Sequence, residues 1–153
     1  MDKVENLEDV WDNGCVAPAT LSGDAIDRFK ELTNAKRVVA RRWIYKGKMH
    51  QTPYFVRLLP DESGLIHFES NDPKSRRLVV LNGDESRRTV IDVPRIDEQS
   101  RPEFGYLNMP PSSARFGDIE WGCEGNDGNT DYLFQFDWNT GRLLRYARPS
   151  RPW

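Results

Sequence analysis

His50 and His67 are the two histidines of this 153-residue sequence. Imidazole is the side chain whose ordinary pKa suits proton transfer near neutrality. On an extended segment His67 and Glu69 project to the same side, so the carboxylate could orient the imidazole as a general base. No Ser or Cys beside them lies in a nucleophile motif, so a surface or half-buried histidine is the reading favoured over catalysis by His67 and Glu69. Cys15 and Cys123 lack a CxxC partner and a positively charged helix start, which leaves two inert reduced thiols as the simpler reading. From Glu124 to Asp131, oxygen side chains recur around two glycines, as in a Ca²⁺ loop. Counted from Asp127, however, the positions needing Gly and Glu hold Tyr132 and Trp138. A turn rich in Gly, Asn and Asp accounts for the segment better. No metal and no cofactor are expected.

Two constellations point to binding. Arg37, Arg41 and Arg42 are interleaved with Trp43 and Tyr45. Alternation puts Arg37, Arg41, Trp43 and Tyr45 on one face, a platform for phosphate contact and base stacking in a single-strand nucleic-acid binder. A pI near 5.7 lacks the usual footprint of such a protein. The favoured reading is a two-sided strand whose arginines pair with acidic segments. The second constellation runs from Phe116 to Gly141, with Asp118, Glu120, Glu124, Asp127, Asp131 and Asp137 and no Lys, Arg or His. Together with Trp121 it would make an acidic-aromatic surface, with carboxylates steering a basic partner and the aromatic ring supplying affinity. Asp118, Glu120, Trp121, Glu124, Asp127 and Asp131 are the expected partner-binding residues. A basic toxin or nuclease domain would suit them, because carboxylates can occupy a phosphate site. The competing reading is internal. Arg142, Arg145, Arg148 and Arg151 follow with no acidic side chain among them, and Pro149 and Pro152 favour a path that sets Arg145, Arg148 and Arg151 on one side. These cations could clasp the acidic segment.

The rest of the charge is sorted as well. Residues 1–14 are acidic and residues 28–59 basic, although the formal net charge is only −2. Neutralising contacts between segments are the plain expectation. The length suits one domain with its own core, and five Trp support burial. No apolar run approaches a membrane span. The acidic N-terminus has no apolar signal core, so a cytoplasmic location without a membrane partner is expected.

Val4, Leu7, Val10 and Trp11 recur at helical steps, predicting a short helix ended by Asn13-Gly14. A second helix is predicted after a Ser22 cap, with Asp24 and Asp27 in its first turn, an apolar stripe of Ala25, Ile26, Phe29 and Leu32, and Asn34 as terminator. Strands are predicted at Val38–Tyr45, Thr52–Leu59, Gly64–Ser70, Leu78–Leu81, Arg88–Val93, Glu103–Asn108 and Arg142–Ala147, and along Tyr132, Phe134, Phe136 and Trp138, whose aromatic face should be core. Lys46-Gly47-Lys48 should turn the chain, and Asn82-Gly83 should supply the positive φ of a hairpin. The sum is an α+β fold in a single domain, 1–153. It has a helical N-terminal part (1–36), an antiparallel β core (37–148) of seven or eight short strands as a curled sheet, sandwich or partial barrel, and a Pro/Arg tail (149–153). Its general look is similar to small bacterial immunity or antitoxin-like proteins: one domain, no catalytic inventory, acidic-aromatic loops on an antiparallel sheet. That likeness implies a non-enzymatic interaction protein that binds and inhibits a basic protein partner. Partner identity and oligomeric state are encoded in no motif.

Overall fold

The N-terminal segment expected to be helical is a strand. The computed structural model describes residues 2–70, 72, 76–95, 102–108, 122–128 and 130–148. In chain order these form β1 (Glu5–Trp11), β2 (Val16–Pro18), α1 (Asp24–Thr33), β3 (Val38–Tyr45), β4 (Lys48–Thr52), β5 (Arg57–Leu58), β6 (Gly64–Phe68), β7 (Leu78–Asn82), β8 (Arg87–Ile91), β9 (Glu103–Asn108), β10 (Gly122–Asn126), β11 (Asp131–Phe136) and β12 (Leu143–Ala147). The strands form three four-stranded sheets, ordered β2-β1-β3-β4, β5-β6-β7-β8 and β12-β11-β10-β9. The α+β class holds in its broad form, mostly antiparallel with one short helix. The strand count is higher than expected, and residues 1–36 carry β1, β2 and one helix. No helix among the described residues is long and apolar enough to cross a membrane.

The chain divides into two compact units, Met1–His67 with Leu81–Ser86, and Phe68–Val80 with Arg87–Trp153. In the first unit β1 pairs antiparallel with β2 and β3. Its register slips between Glu5 and Glu8 and again between Val10 and Trp11, and Asn6 sits at φ 53°. Such bulges break the two-residue alternation of a strand. That is why Val4, Leu7, Val10 and Trp11 mimic helical spacing. Trp11 packs with Ala17 and Ala35, against which Leu21, Ile26, Phe29 and Val38 close a small core.

Helix α1 ends as expected, with Asn34 left-handed at φ 61° and its N–H donated to Lys30 O. Its N-cap is Gly23 rather than Ser22, without a side-chain capping bond. Only part of its apolar stripe is covered. Ile26 and Phe29 join the Trp11 core, while Ala25 and Leu32 line an open groove of about 560 Å³ beside β2, leaving Leu32 80% exposed.

Strand β3 turns at Lys46-Gly47, both at positive φ (51° and 72°), and pairs with β4 from Tyr45↔Lys48 to Arg41↔Thr52. The returning strand is therefore Lys48–Thr52, not Thr52–Leu59, because a two-residue turn leaves no room for a longer loop. Trp43 is fully buried. Its indole Nε1–H donates to Gly83 O at 2.7 Å, and the His50 ring stacks at 5.8 Å from it. The Gly83 turn differs from its sequence reading. Its left-handed residue is Glu85, at φ 74°. A Cβ on Gly83 would lie 2.1 Å from Tyr45 Cδ2, so this glycine is required by close approach to a ring.

In the second unit the predicted aromatic face is core at Tyr132, Phe134 and Phe136, which are buried, as is Leu133 on the other face, whereas Trp138 lies past the end of β11 in a turn and is only partly buried. Phe104 of β9 meets Phe134 and Phe136 edge-on, at 6.4 and 6.3 Å. The sequence predicts no strand at β10, and its turn reading of Glu124–Asp131 overlaps the last three residues of that strand. A Gly-rich strand has no propensity signature, and here the glycines serve packing. A Cβ on Gly122 would meet Phe134 O, and one on Gly125 would lie 2.7 Å from Phe134 Cε2.

Candidate functional site

Of the expected partner-binding residues, Glu124, Asp127 and Asp131 lie within the described structure, on one hairpin. Strands β10 and β11 pair from Cys123↔Phe134 to Asn126↔Asp131, which places Glu124 on one strand, Asp131 at the start of the other and Asp127 in the turn between them. The turn is built from its own side chains. Asp127 Oδ1 accepts the Thr130 N–H at 2.8 Å, and its Oδ2 accepts the Tyr132 hydroxyl at 3.0 Å. Asn126 Oδ1 accepts the Gly128 N–H at 2.6 Å, and Asn126 Nδ2 donates to Asp131 Oδ1. Gly128 takes φ 96°, a conformation that favours glycine. These bonds hold the Asp127 and Asp131 carboxylates in place. Asp118, Glu120 and Trp121 lie outside the described residues.

The basic C-terminal segment folds back on this hairpin as β12. Arg145 Nε donates to Gln135 Oε1 at 2.6 Å. The Arg148 guanidinium stands 5.6 Å from the centre of the Tyr132 ring, the same ring whose hydroxyl is bound by Asp127. Part of the sign sorting is thus met locally, by cation–π contact and a shared tyrosine. Arg151 falls outside the described residues.

The basic strand has another use from the one a nucleic-acid platform requires. Arg41 is buried, with Nε donating to Asp9 Oδ1 at 2.7 Å and Nη1 to Val56 O at 2.7 Å. Arg42 Nε bonds Glu8 Oε1 at 3.3 Å. The register explains both, since Asp9 faces Arg41 and Glu8 faces Arg42 across β1 and β3. Arg41, Trp43 and Tyr45 do share a face, but it is the core face, and a fully buried Trp43 offers no surface to a base. Arg37 is exposed. The expected pairing of arginines with acidic segments accounts for this strand.

His67 and Glu69 are each engaged elsewhere. His67 is buried, and its ring stacks on Tyr54 at 4.5 Å with 12° between the planes. Glu69 lies beyond β6 and takes both oxygens to Arg77 Nη2 at 2.8 Å, a contact that raises the Arg77 pKa. Burial pushes the Cys123 thiol well up, so it stays protonated. Among the described residues no group of three or more His, Cys, Asp or Glu is gathered to hold a metal ion.

No protein-family model and no curated protein matches the chain. A solved structure does. One chain of "Structure of Tne2 in complex with Tni2" matches with a TM-score of 0.68 and 16% identity, covering 97% of this chain and 99% of that one. The two share a fold along essentially their whole lengths.

One surface was not foreseen. Between β4 and β5 the chain presents Tyr54, 51% exposed, and Phe55, 59% exposed, side by side. The sequence does hold a signal for it. Adjacent aromatics in an alternating segment cannot both face one core, and Pro53 before them breaks a ladder.

Proposed function

We propose that this protein is a non-enzymatic interaction module of the immunity or antitoxin kind, which binds and inhibits a basic protein partner. The observation that carries the reading is the fold. A chain of the same fold, matched over almost its full length, occurs in a complex of two proteins. The acidic β10–β11 hairpin supports the sign of the partner. Its carboxylates Glu124, Asp127 and Asp131 are held within a few residues of one turn, an arrangement that steers an oppositely charged surface and raises its association rate. Asp118, Glu120 and Trp121 extend the proposed surface on the evidence of the sequence.

The test begins with capture of the tagged protein from its native lysate at low and moderate salt, with and without nuclease. The recovered protein is then purified and titrated calorimetrically. A Glu124→Lys/Asp131→Asn variant, which leaves Asp127 untouched and keeps a side-chain oxygen at position 131 for the Asn126 amide, should fold normally by circular dichroism. It should bind at least about tenfold more weakly, with the loss mainly in association rate. Unchanged affinity in that variant, or recovery of nucleic acid in place of a protein, would overturn the reading.

A further inference from the structure

The chain contains two Asn-Gly sequences, Asn13-Gly14 and Asn82-Gly83, and the fold sets them in opposite conditions. An asparagine loses its side-chain amide most readily before glycine, which has no side chain to keep its nitrogen away from the carboxamide. Asn82-Gly83 is locked. Gly83 is buried, has no room for a methyl beside the Tyr45 ring, and accepts the Trp43 indole N–H at 2.7 Å. Asn82 bonds Ser86 through its backbone N–H at 2.8 Å and through Nδ2 at 2.9 Å. Asn13 and Gly14, by contrast, are exposed in the turn between β1 and β2. Gly14 takes φ 86°, and nothing lies within 4 Å of the place a Cβ would occupy. Asn13 Oδ1 accepts the Cys15 N–H at 3.1 Å, which folds the carboxamide toward the intervening Gly14 nitrogen and draws electron density from its carbon. The Gly14 N–H donates to Trp11 O at 2.9 Å, a turn bond that opens before reaction. The amide nitrogen that would leave has a structural use. Asn13 Nδ2 donates to Thr33 O at 2.8 Å, at the carboxyl end of α1, and the neighbouring Asp12 accepts the Lys36 N–H. Helix α1 has no fully buried residue and rests on the Trp11 core through Ile26 and Phe29, so these side-chain bonds matter to its attachment.

We propose that Asn13 is a self-modification site whose deamidation releases the end of α1, while the fold protects Asn82. The Gly14 nitrogen forms a bond to Asn13 Cγ, and its proton passes through water to Nδ2. The Cγ–Nδ2 bond breaks and Nδ2 leaves as ammonia. The resulting succinimide takes up one water at either carbonyl and opens to aspartate or isoaspartate. Nothing is oxidised or reduced, and water is the sole co-reactant. Either product has lost the donor to Thr33 O. Each also sets a carboxylate against the last carbonyls of the helix, at the negative end of its dipole, where an anion is disfavoured.

The test is to age the full chain in mildly alkaline buffer and sample it by peptide mapping, by isoaspartyl methyltransferase labelling and by hydrogen exchange. Modification at Asn13 should outrun that at Asn82 by at least about tenfold, the factor that one net hydrogen bond supplies. In urea the two rates should converge. As Asn13 converts, amide exchange in α1 should quicken by about tenfold while β3 and β4 keep theirs. Asn13→Gln, whose longer side chain closes a ring with the Gly14 nitrogen far more slowly, should show no change with time. Freshly purified Asn13→Asp should show the quickened α1 exchange from the start. Should that variant fail to fold, the aged wild-type chain decides the same point. An unmodified Asn13, equal or faster modification at Asn82 in the folded chain, or α1 exchange that stays constant as Asn13 converts would each overturn the proposal.

Discussion

Gly83→Ala isolates one contact on which the first unit depends. The Cα of Gly83 lies against the Tyr45 ring, and an added methyl would sit 2.1 Å from Cδ2 and 2.5 Å from both Cγ and Cε2. All three distances are inside van der Waals contact, so the ring or the turn must move. Gly83 is not at positive φ, so alanine brings no backbone strain and the effect is purely steric. Overpacking of this kind costs about 1–3 kcal/mol. If the turn moves instead of the ring, the Gly83 carbonyl leaves the Trp43 indole, 2.7 Å away. The buried N–H would then lose its partner, at about 1–3 kcal/mol. The two routes are alternatives, and the chain takes the cheaper, so about 2 kcal/mol is expected. With a urea m-value of about 2 kcal/mol/M, the midpoint should fall by about 1 M. Tryptophan fluorescence reads this directly, because Trp43 lies under the turn. The decisive comparison is a double-mutant cycle. In a Tyr45→Ala background the methyl has space, and Gly83→Ala should cost less than about 0.5 kcal/mol. A Gly83→Ala protein as stable as wild type, or an equal cost in both backgrounds, would refute the reasoning.

Two further outcomes follow from the buried and bonded charges. Asp9 and Arg41 have side chains only 12% and 9% exposed. Asp9→Ala should cost about 3–5 kcal/mol in urea unfolding by stranding the guanidinium, while Asp9→Leu/Arg41→Met should recover much of that loss. Equal losses in the two variants would show that the pair stabilises by mutual attraction. Asp12 accepts the Lys36 N–H and Asp84 accepts the Ser86 hydroxyl and N–H, bonds that lower both pKa values below 3.8. Their stabilisation is therefore present above pH 3.8 and disappears as pH falls through the lowered folded-state values. In thermal melts from about pH 7 to pH 2, Asp12→Asn/Asp84→Asn should melt lower than wild type at neutral pH. The gap should close on the acid side of 3.8, and a gap that persists there would exclude these carboxylates as its source.

Short-range chemistry was legible in the sequence wherever one rule acted alone. β3 and β9 lie at their predicted bounds, Asn34 ends the helix in the left-handed conformation, and the alternating aromatics of β11 are core. In each case the local pattern and the burial agree, because a period-two strand with one apolar face has a single way to fold. The misreadings fall where a long-range contact overrode the local signal. β1 took helical spacing from its bulges, and β10 gave no strand signal because its glycines are there for the Phe134 ring and backbone. Gly83 reads as a turn glycine and is in fact a packing glycine. The sorting of charge is plain in the sequence, but its use is not. Which arginine meets which carboxylate depends on strand register, and the β1–β3 pairing placed Asp9 against Arg41 and Glu8 against Arg42. The same register buried the aromatic-arginine face of β3 and left Tyr54 and Phe55 outside, seated on Arg41 and His67. No local pattern specifies that exchange, because burial is decided by what packs across a sheet from positions distant in the chain.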